Sequence, residues 1–259
     1  MLLEGKVAIV SGVGPGLGRA TALALAREGA AVGLAARTEA RVVEVAAEIR
    51  ELGGRALGVS TNVAEPGDCG RIVDAVTREF GALDILVNSA FRGDPGRPFA
   101  EADLLKWRKV FDVNVFGSLQ LTQAALPHLK AGNGGSVVFV NSMSARKIRV
   151  NEGSYAASKG ALLVAVRSLA TELAPYRVRV NTVVPGWIWG PNVQTYVDWQ
   201  VQQRGVSADA VIAEITREIP LGFIPPQEDV AEAIVFFASD RSRVITGQAL
   251  DVNGGEWFG

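Results

Sequence analysis

From end to end the chain alternates short, β-rich apolar runs with longer amphipathic helical patterns. Runs at 7–11, 31–36, 56–61, 83–88, 136–142, 177–184 and 248–252 read as seven strands, and 19–28, 39–52, 68–80, 102–129 and 154–173 read as helices. In the first helical pattern Ala20, Leu23, Ala24 and Ala26 supply the apolar face. Strands separated by helices cannot be joined by tight hairpins. The crossovers make the strands parallel and lay helices over both faces of the sheet. The fold class predicted is therefore α/β, a doubly wound parallel sheet of about seven strands. No linker, composition break or repeat interrupts the alternation, so one domain over 1–259 is expected. The exception to the rhythm is 186–226, which carries Trp187, Trp189, Tyr196, Trp199 and Phe223 among several Pro and Gly. It reads as a small lobe inserted before the last helix and strand.

Two scarcities narrow the chemistry. Cys69 is the only cysteine and His128 the only histidine. An internal disulfide, a cysteine metal cluster, a histidine triad and a multi-histidine zinc site are all excluded, and no metal is expected. The formal net charge of −1 gives no reason to expect nucleic acid or an anionic membrane as a partner. The first residues lack a basic start and a long apolar run, so no signal peptide is expected. No apolar segment reaches membrane-spanning length free of charges or turn residues, and a cytoplasmic protein is the expectation.

After the first strand comes Ser11-Gly-Val-Gly-Pro-Gly-Leu-Gly18, then a helix. The common G-x-G-x-x-G spacing does not fit; Gly12-x3-Gly16-x-Gly18 does. Glycines in a first strand-to-helix turn let the backbone approach a pyrophosphate, and the helix N-terminus supplies N–H groups and the positive dipole end. That turn makes the expected sheet Rossmann-like and points to a dinucleotide. The second strand ends Ala35-Ala36-Arg37-Thr38. An NAD site usually has an acid there for the ribose 2′-OH. A small residue followed by a guanidinium suits a 2′-phosphate instead, so NADP(H) is expected over NAD(H), with Arg37 and Thr38 as contacts.

Tyr155-Ala-Ala-Ser-Lys159 puts a phenol and an ammonium on one face of a helix. A nearby cation favours the phenolate and draws the pKa down from about 10 toward a working range. The pair can thus act as a general acid–base. With the glycine turn, it makes the chain resemble the short-chain dehydrogenase/reductase family over essentially its whole length. Ser142 stands 13 positions before Tyr155, as that family's serine does. Asn114 in Val113-Asn-Val-Phe-Gly117 matches the family's asparagine. Asn62-Val63 matches its Asp-Val, Asn88-Ser-Ala-Phe91 its Asn-Asn-Ala-Gly, and Pro185-Gly186 its Pro-Gly after the sixth strand. Thr246-Gly-Gln-Ala-Leu-Asp-Val-Asn-Gly-Gly255 resembles its final strand and turn.

The resemblance implies a set of roles. Tyr155 transfers the proton to or from the substrate oxygen, and Lys159 lowers its pKa and bonds the nicotinamide ribose. Ser142 donates to the substrate oxygen, and Asn114 positions a water linking Lys159 to solvent. Ser11, Gly12, Gly16, Leu17, Gly18, Asn62, Val63, Asn88, Ala90, Pro185, Gly186 and Ile188 complete the cofactor side. The 186–226 lobe is where that family determines substrate, so Trp187 and Trp189 join Ser142 and Tyr155 as candidate substrate contacts; Ser144, a hydroxyl on the Ser142 loop, is either a further contact or unused. Three departures from the pattern stand out: Asn62 for Asp, Phe91 for Gly, and Trp187-Ile-Trp-Gly190 where a threonine often follows Pro-Gly. Arg146, Lys147 and Arg149 form a basic run that is either solvated or draws an anionic substrate. The expected activity is interconversion of a secondary alcohol and its ketone by a homotetramer joined through its two long helices and its last strand. A 3-oxoacyl thioester reductase is the alternative within the class, and a catalytically idle dinucleotide-binding protein the alternative outside it. Enoyl reduction is not expected, because that branch spaces its Tyr and Lys more widely.

Overall fold

The computed structural model describes residues 1–94, 96–132 and 134–259. Seven strands, β1 (Val7–Ser11), β2 (Ala31–Ala36), β3 (Arg55–Ser60), β4 (Ile85–Asn88), β5 (Gly135–Val140), β6 (Val178–Pro185) and β7 (Ala249–Val252), form one all-parallel sheet in the order β3-β2-β1-β4-β5-β6-β7. The sheet is the Rossmann-like arrangement expected from the alternation. Successive strand residues face opposite sides. Ala8, Val10, Val32, Leu34 and Val138 pack against α1 (Leu17–Arg27), α2 (Glu39–Glu51) and α9 (Gln227–Ala238). Val7, Ile9, Leu86, Val137 and Phe139 pack against α3 (Pro66–Phe80), α5 (Ser118–Ala131) and α6 (Gly153–Leu173). Cys69 lies in this second layer, where burial pushes its thiol up to about 11.

The continuous helix expected over 102–129 is interrupted. α4 (Leu104–Phe111) runs into one π turn, Asp112–Gly117, before α5 resumes. The backbone at Gly117 passes so close to Val63 that a Cβ there would lie 2.7 Å from its side chain. A π turn of this kind leaves no mark in the apolar periodicity, and such turns gather at functional sites. The segment after β6 folds into α7 (Pro191–Arg204) and α8 (Ala208–Thr216), closed over their own apolar cluster of Val193, Val197, Val211, Ile215, Ile219 and Ile224. Among the described residues no helix is long and apolar enough to cross a membrane.

Strand order reverses between β1 and β4. Open α/β sheets bind ligands in the crevice at the carboxyl ends of the strands flanking such a reversal. Gly12 follows β1 there, Ser89 follows β4, Asn141 follows β5 and Gly186 follows β6.

Candidate active site

A cleft of about 490 Å³ opens at the reversal and runs from the glycine turn to Tyr155 and Lys159. A larger hollow of about 750 Å³ lies where α1 and α2 end, beside Gly29 and Gly54 at the amino ends of β2 and β3, away from these side chains.

Two glycines shape the turn. Gly12 has φ +74°, and a Cβ on it would fall 2.5 Å from the Ala90 Cα; one on Gly18 would fall 2.2 Å from the Gly12 carbonyl oxygen. Strand β4 and helix α1 can close on the turn only because both Cβ positions are empty. Gly14 and Gly16 meet no backbone, and the nearest atom to a Cβ on Gly16 would be Gln227 Oε1 at 3.7 Å. Helix α1 has no side-chain cap and no acid in its first turn, so its N–H groups and positive dipole end face the cleft uncompensated. This cradle fits a pyrophosphate. Leu17 and Gly18 line it.

Ser11 sits behind the turn, not in it. It is 1% exposed. Its hydroxyl donates to Val87 O (3.4 Å) and accepts from the N–H groups of Ser89 (3.2 Å) and Ala90 (3.3 Å). It therefore fastens the β4 loop to β1, a use that a hydroxyl beside a glycine turn does not announce in sequence. Arg37 and Thr38 are exposed just past the end of β2, and the neighbouring Ala35 carbonyl accepts from Gly12 N (2.8 Å) and Val13 N (3.1 Å). Asn62 Oδ1 accepts from Ala64 N (3.3 Å) while Asn62 N donates to Asp68 (2.8 Å), so the side chain closes its own loop. Val63 is buried beneath it. Asn88 Nδ2 donates to Thr122 (2.9 Å), which leaves its buried Oδ1 without a partner. Ala90 is half-buried, and Pro185, Gly186 and Ile188 line the opposite wall.

The two helical side chains meet as their spacing requires. Lys159 Nζ lies 5.6 Å from the centre of the Tyr155 ring and donates to Val140 O (2.8 Å). Lys159 is 3% exposed, and burial brings its pKa down to about 8. Tyr155 keeps partial exposure at the cleft, yet its pKa goes up, to about 12. Burial is the main cause; the Ser142 hydroxyl works against it and the Glu152 charge adds to it. The sequence leads one to expect Lys159 to pull the phenol down. Here burial outweighs the Ser142 hydroxyl, the one influence that lowers the phenol pKa, and at neutral pH the phenol is a proton donor.

Helix α6 is braced at both ends of this motif. Asp94 accepts from Ser154 N (2.8 Å), from the Ser154 hydroxyl and from Tyr155 N (3.3 Å). Asn114, fully buried in the π turn, accepts from Arg92 N (2.7 Å) and donates to Arg92 O (3.1 Å) and Ser158 Oγ (2.9 Å). Ser142 leaves the sheet because Asn141 Oδ1 takes its N–H (2.8 Å) while Asn141 Nδ2 donates to Lys159 O (3.1 Å). Ser144 faces Glu152, donating to its Oε2 (3.0 Å). Trp187 lines the cleft, packed on Tyr196 (5.2 Å) and covered by the Arg149 guanidinium (4.3 Å). Trp189 does not join it. Its N–H pairs with Pro225 O (2.8 Å), which holds it beside Ile212 and Phe223 in a separate shallow depression.

Several cleft residues went unread in the sequence. Glu152 and Gln227 line the cleft, and the Gln227 Oε1 is buried without a partner. Asp94 caps helix α6 from a loop 60 positions upstream. Phe91 fits because its ring turns edge-on to Tyr155, 6.4 Å away, with much of it in solvent. The basic run is used internally: Arg146 pairs with Asp251, Lys147 with Glu218 (2.5 Å) and Glu256 (3.2 Å), and Arg149 with Glu256 (3.2 Å).

A family model described as Enoyl-(Acyl carrier protein) reductase matches residues 12–256. Cis-4-hydroxycyclohexanecarboxylate dehydrogenase of Sinomonas cyclohexanicum is 36% identical, covering 96% of each chain. The 3-oxoacyl-(acyl-carrier-protein) reductase of Thermotoga maritima is 32% identical over 98% of this chain and 99% of its own. Among solved structures, 7α-hydroxysteroid dehydrogenase complexed with NADH and 7-oxo glycochenodeoxycholic acid superposes with a TM-score of 0.89. It is 30% identical and covers 98% of this chain and 94% of its own.

The Asp94 cap generates a stability prediction. Burial works to raise its pKa, but bonds from Ser154, Gly96 and Tyr155 outweigh it and hold the carboxyl below its ordinary value. A lowered carboxylate stabilises the fold above the unfolded pKa, about 4, and that contribution is lost as pH falls through the lower folded value. Asp94→Ala should cost about 1 kcal/mol at pH 7, measured by urea denaturation, and the gap from wild type should close as the pH drops well below about 4.

Proposed function

This chain belongs to the short-chain dehydrogenase/reductase family and is an oxidoreductase acting on CH–OH donors; from that premise we propose that it interconverts a secondary alcohol and its ketone with Tyr155 as acid–base and NADP(H) as hydride carrier. The observation carrying this reading is the meeting of Ser142, Tyr155 and a buried Lys159 in the cleft that begins at the glycine turn. The family binds NAD(H) or NADP(H), and the bound nicotinamide would supply or accept the hydride.

In the reductive direction the Ser142 and Tyr155 hydroxyls would hold the carbonyl oxygen, and Tyr155 would give it a proton as negative charge develops there. The raised phenol pKa supports this direction at neutral pH. Oxidation would need the phenolate and would gain as pH rises. Lys159 spends one N–H on Val140 O, which leaves two donors for ribose hydroxyls. Both amide protons of Asn114 are engaged, so a relay water between Lys159 and solvent would meet this segment as a donor to it.

NADP(H) is supported by Ala36 and the exposed Arg37 beside the turn; the 7α-hydroxysteroid dehydrogenase structure holds NADH, so the preference rests on this chain's own residues. The Tyr155–Lys159 spacing of four favours carbonyl over enoyl reduction, despite the description attached to the matched family model. The Thermotoga maritima relative keeps a 3-oxoacyl thioester as the second substrate reading, and steady-state rates on a ketone panel against an acetoacetyl thioester separate the two. A homotetramer through α4–α5 and α6 is supported by the exposed Leu105, Phe116 and Val164.

Tyr155→Phe should lower turnover by about 10²- to 10⁴-fold while cofactor binding, followed by nicotinamide fluorescence, is retained. A variant as active as wild type would sink the acid–base assignment, and a wild-type protein that binds cofactor but turns over no carbonyl would favour the idle alternative. Arg37→Ala should weaken NADP(H) binding at least about tenfold, or 1.4 kcal/mol, and leave NAD(H) binding unchanged; equal losses on both would remove the 2′-phosphate reading.

A further inference from the structure

The loop between Ser142 and Tyr155 sorts its charges. Arg146, Lys147 and Arg149 are held in ion pairs with Asp251, Glu218 and Glu256, and none of the three lines the cleft. Glu152 does line it. Its carboxylate accepts from the Ser144 hydroxyl, 3.0 Å from Oε2, and among the described residues no cation is paired with it. Its charge reaches the reacting group, since it helps to push the Tyr155 phenol upward. Among the described residues the other ionisable side chains on the cleft wall are Tyr155 and Lys159, and Lys159 donates to Val140 O. The rings of Phe91 and Trp187 line the same cleft, Phe91 edge-on to Tyr155.

A half-buried carboxylate with a single hydroxyl partner has acceptor capacity left over. In a cleft with apolar walls its charge is poorly screened, so a donor placed against it is held strongly and a second anion is repelled. We propose that Glu152 is a specificity-determining residue: it receives a hydrogen-bond-donating substituent of the substrate, an ammonium or a hydroxyl, and excludes a carboxylate from that position. The proposal rests on the alcohol–ketone reading of the same cleft. It also departs from the anionic-substrate option for the basic run, because those cations are neutralised inside the protein while Glu152, the one carboxylate on the cleft wall among the described residues, has no cation paired with it.

The test uses the full chain and three cyclohexanones carrying dimethylamino, hydroxyl or carboxylate at C4. Specificity constants are measured with reduced cofactor. Dissociation constants of the matching cyclohexanols are measured by calorimetry with oxidised cofactor, which requires no turnover. Wild type should prefer the ammonium and hydroxyl probes over the carboxylate by about tenfold or more. Glu152→Gln should collapse the ammonium-to-carboxylate ratio, and Glu152→Lys should invert it. A ratio taken within one preparation does not depend on the fraction folded. A larger loss on the ammonium probe identifies a cationic substrate, and a larger loss on the hydroxyl probe a neutral one. An unchanged ratio in both variants, or a wild-type preference for the carboxylate, would overturn the assignment. A charge-dependent binding ratio with no turnover of any probe would leave Glu152 assigned and remove the alcohol–ketone reading.

Discussion

A lysine ammonium buried at the end of β5 is the constraint on which the rest of the cleft depends. Burying a cation costs several kcal/mol unless it is hydrogen-bonded. Lys159 finds one partner in the Val140 carbonyl, at the point where β5 gives up its ladder. Asn141 then uses both ends of its amide, one on Lys159 O and one on Ser142 N. The strand end, the serine and the lysine are thereby fixed as one unit. Burial lowers the lysine pKa to about 8, so the group keeps most of its charge at neutral pH while remaining sensitive to what is placed beside it.

Helix α6 carries this unit and is held from two other elements. Asp94 pins its first turn, and Asn114 pins its second through Ser158, whose hydroxyl also donates to Tyr155 O (2.7 Å). The π turn at Asp112–Gly117 is what brings Asn114 inward. On the other side of the cleft, Ser11 and the empty Cβ positions of Gly12 and Gly18 let β1, β4 and α1 converge. Such bracing fixes side chains before any ligand arrives, which is where electrostatic preorganisation has its effect.

Much of this was legible in the residues. The seven strands, and the ends of the five helical patterns read before β6, follow from periodicity to within a residue or two, because parallel strands buried on both faces leave continuous apolar runs; the bounds of α7, α8 and α9 do not. The glycine turn and the Tyr155–Lys159 pair are local in sequence, so spacing reveals them. What stayed hidden depends on contacts between distant segments. The π turn shifts one helical register without altering the apolar pattern. Asp94 reaches Ser154 across 60 positions. Ser11 and Trp189 have side chains suited to ligands, but tertiary hydrogen bonding uses the first behind the turn and backbone pairing holds the second in another depression. Which charged residue of the Ser142–Tyr155 loop lines the cleft was also unreadable, since it depends on which of the four find partners elsewhere.

The central claim is that the cleft delivers a hydride to a carbonyl carbon while the Tyr155 phenol protonates the oxygen. Mass spectrometry of the product formed from an unlabelled ketone and NADPH deuterated at both C4 positions tests it most directly. The account predicts a secondary alcohol with a single deuteron at the carbinol carbon and a solvent-derived hydroxyl proton. A product without deuterium at that carbon, or no reduction of any ketone by a protein that binds NADPH, would contradict it.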